Sequence, residues 1–184
     1  MKKIVFIVGS LREKSFNRSL ARDAEAIIGK RAEITYLDYS SVPLMNQDIE
    51  YPAPDAVKEA RDEIMAADGI WIFSPEYNFN IPGGLKNLLD WLSRPLVQGD
   101  PERISALTGM PVTFSGVGGK MAASTARKRL GEFALFMKMK HMEGNETAIA
   151  LSAEAFATNT LYLTSDDKRR LENQAERFLS FIGT

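Results

Sequence analysis

Several side chains that bind anions follow the first apolar run of the chain. The run at residues 4–8 is typical of a buried parallel strand, and Gly9 ends it. The polar groups that come next belong to Ser10, Arg12, Ser15 and Asn17. A helix start presents free N–H groups and a positive dipole end to an anion, and a guanidinium matches phosphate geometry. This pattern predicts a phosphate site; alternatively, Ser15 only caps a helix and Arg12 is a solvated charge.

A second polar segment follows the apolar run at residues 70–73. Pro75 stops that run, because proline cannot donate to a sheet ladder. Glu76, Tyr77 and Asn78 come next, then Asn80 as a predicted N-cap and Pro82 as an early residue of a leucine-rich helix. In open α/β sheets, ligands bind at the carboxyl ends of strands. The loop at residues 75–78 is therefore a candidate ligand contact; alternatively, it only turns the chain.

Glycines follow a further predicted strand at residues 112–115. Gly116, Gly118 and Gly119 would let the backbone approach a ligand closely, or adopt turns with positive φ. This composition fits either a third ligand contact in a loop or a plain turn between a strand and a helix.

The first two segments resemble motifs of the NAD(P)H-dependent FMN reductase family, the flavodoxin-like group that includes quinone, azo-dye and chromate reductases. The first motif reads Gly9-Ser10-x-Arg12-x-x-Ser15-x-Asn17. The second reads Ser74-Pro75-Glu76-Tyr77-Asn78, then Pro82-Gly83, Leu85-Lys86-Asn87 and Asp90-Trp91. The resemblance implies a bound FMN with its phosphate on the first motif, its ring along the second and its pyrimidine edge at the glycines. The residues that it assigns to the cofactor are Ser10, Arg12, Ser15, Phe16, Asn17, Pro75, Glu76, Tyr77, Asn78, Ser115, Gly116, Gly118 and Gly119.

The function that the resemblance implies is an FMN-dependent oxidoreductase. NAD(P)H would pass hydride to the flavin, and a quinone, azo compound or similar small acceptor would then take the electrons. Because the flavin carries the chemistry, no catalytic side chain is expected, and Glu76 need not act as a base. Two alternatives stay open. One is a flavodoxin-like electron carrier without its own NAD(P)H reaction, although such carriers are strongly acidic; the other is a scaffold or regulator that has lost catalysis.

The elements that must position these segments alternate as strands and helices. Strands are predicted at residues 4–8, 32–38, 70–73, 112–115 and 147–151. Helices are predicted after Ser15 and Asn80, over about 55–67 and 121–138, and after Ser165. The alternation predicts an α/β fold, a three-layer sandwich around a five-stranded parallel sheet. The flavodoxin-like order 2-1-3-4-5 would bring the loops after strands 1 and 3 side by side.

Composition bounds the class of protein. The 184 residues suit one domain over 1–184, and a net charge of −1 gives no reason to expect nucleic acid or an anionic membrane as partner. No apolar stretch is long enough to span a bilayer. Because the chain has no cysteine and so no disulfide, the cytoplasm is the default location. Without cysteine and with one histidine, His141, a metal site or a thiolate nucleophile is not expected. We interpret His141 as a structural residue in an exposed, lysine-rich segment.

The resemblance also implies a homodimer. The faces of the helices at residues 85–93 and 121–138 are the expected interface. Met137, Met139 and Met142, with Phe136 nearby, either extend the second of these faces toward a partner or belong to the core.

Overall fold

The chain folds into a parallel β-sheet with helices on both faces, which a computed structural model describes for residues 1–144 and 146–183. The strands are β1 (Lys2–Val8), β2 (Ala32–Tyr36), β3 (Gly69–Phe73), β4 (Pro111–Gly118), β5 (Lys140–His141) and β6 (Ala148–Ala150). The helices are α1 (Phe16–Ile28), α2 (Asp55–Met65), α3 (Gly83–Leu92), α4 (Ser124–Phe136), α5 (Ala153–Thr158) and α6 (Ser165–Phe181). None of these helices is both long and apolar enough to cross a membrane.

The sheet has the predicted strand order, with an unpredicted division at one edge. β1 lies between β2 and β3, and β3 pairs with β4, always in parallel. β5 pairs with the start of β4, where Pro111 lies opposite Lys140, and β6 pairs with its end, where Gly116 lies opposite Ala148. Two short strands therefore fill the fifth position of the order 2-1-3-4-5, and the strand predicted at 147–151 corresponds to β6.

Alternating side chains of the strands form a core on each face of the sheet. On β1, Val5 and Ile7 point to the face covered by α2, α3 and α4. Ile4, Phe6 and Val8 point to the opposite face, which α1 and α6 cover. Burial on both faces explains why residues 4–8 of β1 are continuously apolar, and it confirms the three-layer architecture.

One tryptophan is buried on each side of the sheet. Trp71 on β3 lies on the side of α1 and α6, stacked on Phe73 with 5.2 Å between ring centroids. Its Nε1 donates to Ser115 Oγ at 3.0 Å. Trp91 on α3 is buried on the other side, where its Nε1 donates to the carbonyl of Pro43 at 2.8 Å. Both indole N–H groups are thus satisfied.

A buried glutamine ties the last helix to the end of the sheet. Gln174 Oε1 on α6 accepts hydrogen bonds from Ser115 Oγ at 2.9 Å and from the N–H of Thr147 at 2.7 Å. Its Nε2 donates to Thr113 Oγ1 at 2.9 Å and to the carbonyl of Phe114 at 2.8 Å. All four hydrogen-bonding positions of the amide are used. The side chain therefore joins α6 to β4 and to the residue before β6.

The structure corrects the predicted start of α3, which had Asn80 as the N-cap and Pro82 inside the helix. α3 begins at Gly83, with Pro82 at the N-cap position. Asn80 does not cap the helix, because its Oδ1 instead accepts the N–H of Ile81 at 2.9 Å.

The start of α4 also lies later than predicted. The helix begins at Ser124 rather than Met121. Ala122 and Ala123 have φ values of 47° and 55°, and successive left-handed residues cannot continue a right-handed helix.

Most of the predicted glycine loop is strand. β4 continues through Gly116 to Gly118 because β6 pairs with it there, and the N–H of Gly116 donates to the carbonyl of Thr147 at 3.0 Å. The loop predicted at residues 116–119 is therefore wrong for its first three residues, and only Gly119 follows the strand.

The methionines after α4 belong to the core. Met139 and Met142 are buried, and Met137 packs against the same cluster as Met139. Phe136 is different, since it is 83% exposed at the end of α4. Of the two predicted roles, the core role therefore applies to the methionines.

His141 is not in an exposed segment, which corrects the prediction. It lies half-buried on β5, with its ring centroid 4.7 Å from that of Phe114. Its Nε2 lies 3.2 Å from Glu146 Oε1, and Glu146 Oε2 accepts a hydrogen bond from Arg127 Nη1 at 2.7 Å. These contacts join β5 to α4.

Candidate functional site

A cleft opens at the carboxyl ends of β1, β3 and β4, where ligands bind in this type of sheet. Its volume is about 300 Å³, which is within the range of small-molecule sites. Its walls are the loop after β1, the loop after β3, the end of β4 and the segment from β6 to α5. The lining residues are Ser10, Arg12, Ser15, Phe16, Asn17, Pro75, Glu76, Tyr77, Val117, Gly118, Gly119, Leu151 and Phe156.

Ser15 caps α1 and also lines the cleft. Its Oγ accepts the N–H of Arg18 at 3.3 Å, and its carbonyl accepts the N–H of Ser19 at 3.0 Å. Phe16 and Asn17 belong to the first turn of α1, and the N–H groups of a first turn have no acceptor within the helix. The two predicted roles of Ser15 are therefore compatible, since the capped helix start still presents N–H groups at the cleft.

Arg12 lies at the same end of the cleft. Its Nε donates to the carbonyl of Lys14 at 2.9 Å, and its Nη2 donates to that carbonyl and to Asn159 Oδ1. The guanidinium carbon is 5.1 Å from the centroid of the Phe16 ring. Arg12 is therefore an exposed residue whose guanidinium is nonetheless held by neighbouring groups.

The Asn17 side chain holds α1 against β4. Its Nδ2 donates to the carbonyl of Val117 at 3.0 Å, and its Oδ1 accepts the N–H of Val117 at 2.9 Å. The residue is 2% exposed. Because the amide makes both of these bonds, Asn17 can contact an anion more readily through its backbone N–H than through its side chain.

A tight turn carries the second predicted segment along the cleft. Tyr77 and Asn80 exchange two backbone hydrogen bonds of 3.1 Å, and Asn78 and Phe79 between them have φ values of 52° and 59°. Tyr77 Oη lies 3.3 Å from Ser10 Oγ, so the loops after β1 and β3 are in contact, as the strand order predicts. Asn78 is at the exposed tip of the turn and does not line the cleft.

Glu76 has a structural partner that the sequence did not reveal. Its Oε2 accepts the N–H groups of Thr125 at 2.7 Å and Ala126 at 3.0 Å. The residue at the N-cap of α4, Ala123, offers no side-chain cap. The carboxylate of Glu76 thus caps α4 from the loop after β3.

The end of β4 contributes backbone rather than side chains. Gly118 and Gly119 line the cleft, but the predicted site residues Ser115 and Gly116 do not. Ser115 is buried and hydrogen-bonded to Trp71 and Gln174. A Cβ on Gly116 would lie 2.9 Å from the Cβ of Ala123, so this glycine serves close packing.

Three lining residues were missed from the sequence. Val117 lies between the predicted glycines, while Leu151 and Phe156 come from the segment between β6 and α5. The centroid of the Phe156 ring is 6.2 Å from that of Phe16, in an edge-to-face contact. The signal for α5 is Ser152, which caps it by accepting the N–H of Ala155 at 3.1 Å.

Comparisons with known proteins identify a family and several similar enzymes. A family model described as NADPH-dependent FMN reductase matches residues 2–154. A 2-hydroxy-1,4-benzoquinone reductase of a Burkholderia species is 29% identical over 181 residues, covering 98% of this chain and 96% of that protein. An NAD(P)H-dependent FMN reductase of Pseudomonas aeruginosa is 32% identical over 170 residues, covering 91% and 87%. The structure of FerB, a flavoenzyme NAD(P)H:(acceptor) oxidoreductase from Paracoccus denitrificans, superposes with a TM-score of 0.85 at 28% identity, covering 99% and 97%.

Proposed function

The chain belongs to the NADPH-dependent FMN reductase family, and we propose that this oxidoreductase binds FMN in the cleft and transfers electrons from NAD(P)H to a quinone or a similar small acceptor. The observation that carries the proposal is that one cleft contains both an anion site and an aromatic wall. The start of α1 and Arg12 form the anion site, and Tyr77 forms part of the wall. A single flavin-binding domain over residues 1–184 is part of the same proposal.

The residues present fit FMN. The phosphate would be held by the first N–H groups of α1, by the hydroxyls of Ser10 and Ser15, and by the guanidinium of Arg12. The ring would lie along Pro75 and Tyr77, and the backbone at Gly118 and Gly119 would meet its pyrimidine edge. When bound, FMN accepts hydride from NAD(P)H and gives up electrons to the acceptor.

The protein's own contribution is binding and orientation. Among the described residues that line the cleft, Glu76 carries the one carboxylate, and its Oε2 already accepts two backbone hydrogen bonds from α4. Such a carboxylate is poorly placed to abstract a proton. This is consistent with hydride transfer to a flavin, which needs no general base.

The proposal includes a homodimer. On α4, Leu135 and Phe136 are 80% and 83% exposed, which suits the predicted use of this helix in an interface. On α3, the outward residues Lys86 and Asp90 pair with each other, so this helix offers a polar surface. A monomeric mass by light scattering at micromolar concentration would contradict the dimer.

The test is the visible absorption spectrum of the purified protein, loaded with FMN where necessary and kept free of oxygen. We expect a flavin band that NADPH or NADH bleaches and that a quinone restores. A band that persists with both nucleotides would support the electron-carrier alternative. A protein that does not take up FMN would contradict the cofactor assignment and, with it, the proposed function.

A further inference from the structure

The C-terminal end of α5 contacts the anion-binding end of the cleft. Asn159, the residue that follows α5, accepts a hydrogen bond from Arg12 Nη2 through its Oδ1. The two residues are 147 positions apart in the chain. Asn159 also lies beyond the residues 2–154 that the family model matches. The contact therefore joins a motif residue, Arg12, to a residue that lies outside both the motifs and the family match.

The hydrogen bonds of Arg12 leave one nitrogen of its guanidinium, Nη1, for a ligand. A guanidinium has five N–H donors. Nε donates to the carbonyl of Lys14, and Nη2 divides its two hydrogens between that carbonyl and Asn159 Oδ1. Within residues 1–144 and 146–183, Nη1 makes no hydrogen bond. Its two hydrogens are therefore available on a side chain that lines the cleft.

An aromatic pair, Phe16 and Phe156, also supports this guanidinium. Its carbon lies 5.1 Å from the centroid of the Phe16 ring, within the range of a cation–π interaction. Phe16 in turn packs edge-to-face against Phe156 of α5 at 6.2 Å. α5 thus supports Arg12 both directly, through Asn159, and indirectly, through Phe156 and Phe16.

The backbone of Asn159 explains why an asparagine suits this position. Its φ of 54° and ψ of 35° are left-handed, and they end α5. Asparagine is among the few residues other than glycine that adopt this conformation readily. Asn159 can therefore end the helix and direct an amide oxygen toward Arg12. Glycine would preserve the first property and remove the second.

We propose that Asn159 is a positioning residue for the cofactor phosphate, because it holds the guanidinium of Arg12, a residue that lines the cleft, through Nη2 and leaves Nη1 for the anion. This inference rests on the proposed function, since it requires FMN in the cleft. It assigns to α5 the role of selecting flavins that carry a 5′-phosphate. Riboflavin has the same ring and no phosphate, so it serves as the discriminating probe.

The experiment measures the dissociation constants of FMN and riboflavin for the flavin-free protein by flavin fluorescence. We compare wild type with Asn159→Gly, which keeps the left-handed backbone accessible, and with Thr158→Ala, a neighbouring exposed change in α5. Asn159→Gly should weaken FMN binding about fivefold to tenfold while leaving riboflavin binding unchanged. Thr158→Ala should leave both affinities unchanged. Thermal unfolding of each variant verifies that it is folded.

A double-mutant cycle with Arg12→Ala tests whether Asn159 acts through Arg12. Once Arg12 is absent, Asn159→Gly should have no further effect on FMN affinity. The inference is overturned if Asn159→Gly leaves FMN binding at the wild-type level, if it weakens FMN and riboflavin equally, or if its effect persists without Arg12. In each of these cases wild type still binds FMN, so the proposed function stands. Failure of wild type to bind FMN would overturn both.

Discussion

The Oε2 atom of Glu76 accepts the backbone N–H of Thr125 at 2.7 Å, which joins the loop after β3 to the first turn of α4. A carboxylate at this position accepts hydrogen bonds from N–H groups that lack a partner within the helix. Its negative charge also interacts favourably with the positive end of the helix dipole. The family motif that contains Glu76 therefore carries a fold-stabilising contact as well as a wall of the cleft.

Replacing Glu76 should destabilise the fold. We expect Glu76→Ala to lower the free energy of unfolding by about 1 kcal/mol, the usual effect of losing an N-cap, and Glu76→Gln to lower it less because an acceptor remains. Urea unfolding measures both. Glu13→Ala, at an exposed site, is the control. Equal stability of wild type and Glu76→Ala would show that the cap contributes nothing.

Adjacent glycines at the end of β4 should respond differently to alanine. A Cβ on Gly118 would lie 2.9 Å from the backbone nitrogen of Ala123, whereas one on Gly119 would meet nothing within 4 Å. Gly118→Ala should therefore lower the free energy of unfolding by about 1–3 kcal/mol, and Gly119→Ala should change it by less than about 0.5 kcal/mol. Thermal unfolding measures the difference. Similar midpoints for the two variants would contradict the close packing of Gly118 against Ala123.

The buried amide of Gln174 should be costly to remove. In Gln174→Leu, the N–H of Thr147 and the carbonyl of Phe114 each lose their hydrogen bond to the Gln174 amide. Both bonds are buried. We expect a loss of about 2–4 kcal/mol in the free energy of unfolding. Asn173→Leu changes an exposed neighbour in α6 and serves as the matched control. Equal losses in the two variants would mean that helix surface hydrophobicity, not the amide network, sets the effect.

Stability should also depend on pH through Glu50. Hydrogen bonds from Arg94 to its two oxygens, at 2.7 and 3.0 Å, hold the pKa of this buried carboxyl below its ordinary value of 4.5. A carboxyl with a lowered folded-state pKa stabilises the protein above its unfolded pKa, and the stabilisation is lost as pH falls through the folded-state value. Glu50→Gln should lower the free energy of unfolding at neutral pH by about 1–3 kcal/mol.

The same variant should also lose less stability than wild type on acidification from neutral pH to below about 4.5. Urea unfolding at several pH values tests this, with Glu102→Gln, at an exposed site, as control. If the free energy of unfolding fell equally with pH in wild type and Glu50→Gln, ionised Glu50 would not contribute to the pH dependence of stability.

The parts of the structure that local pattern determines could be predicted from the sequence. The apolar run of β1, the cap at Ser15 and the polar loop after β3 each depend on residues close together in the chain. The contacts that complete the site could not, because they join distant residues: Asn17 bonds to Val117, 100 positions away, and Glu76 caps a helix 49 positions away. α5 has only six residues, too few for an amphipathic pattern to mark it.

The placement of the two tryptophans makes the order of folding events observable. Trp71 is packed in the layer of α1 and α6, and Trp91 is in α3 on the other side of the sheet. In a chain with Trp71→Phe, the tryptophan emission comes only from Trp91, in the layer that contains α3. In a chain with Trp91→Phe, it comes only from Trp71, in the layer of α1 and α6. Stopped-flow emission traces of these two chains during refolding would show whether the layers pack onto the sheet together or one before the other.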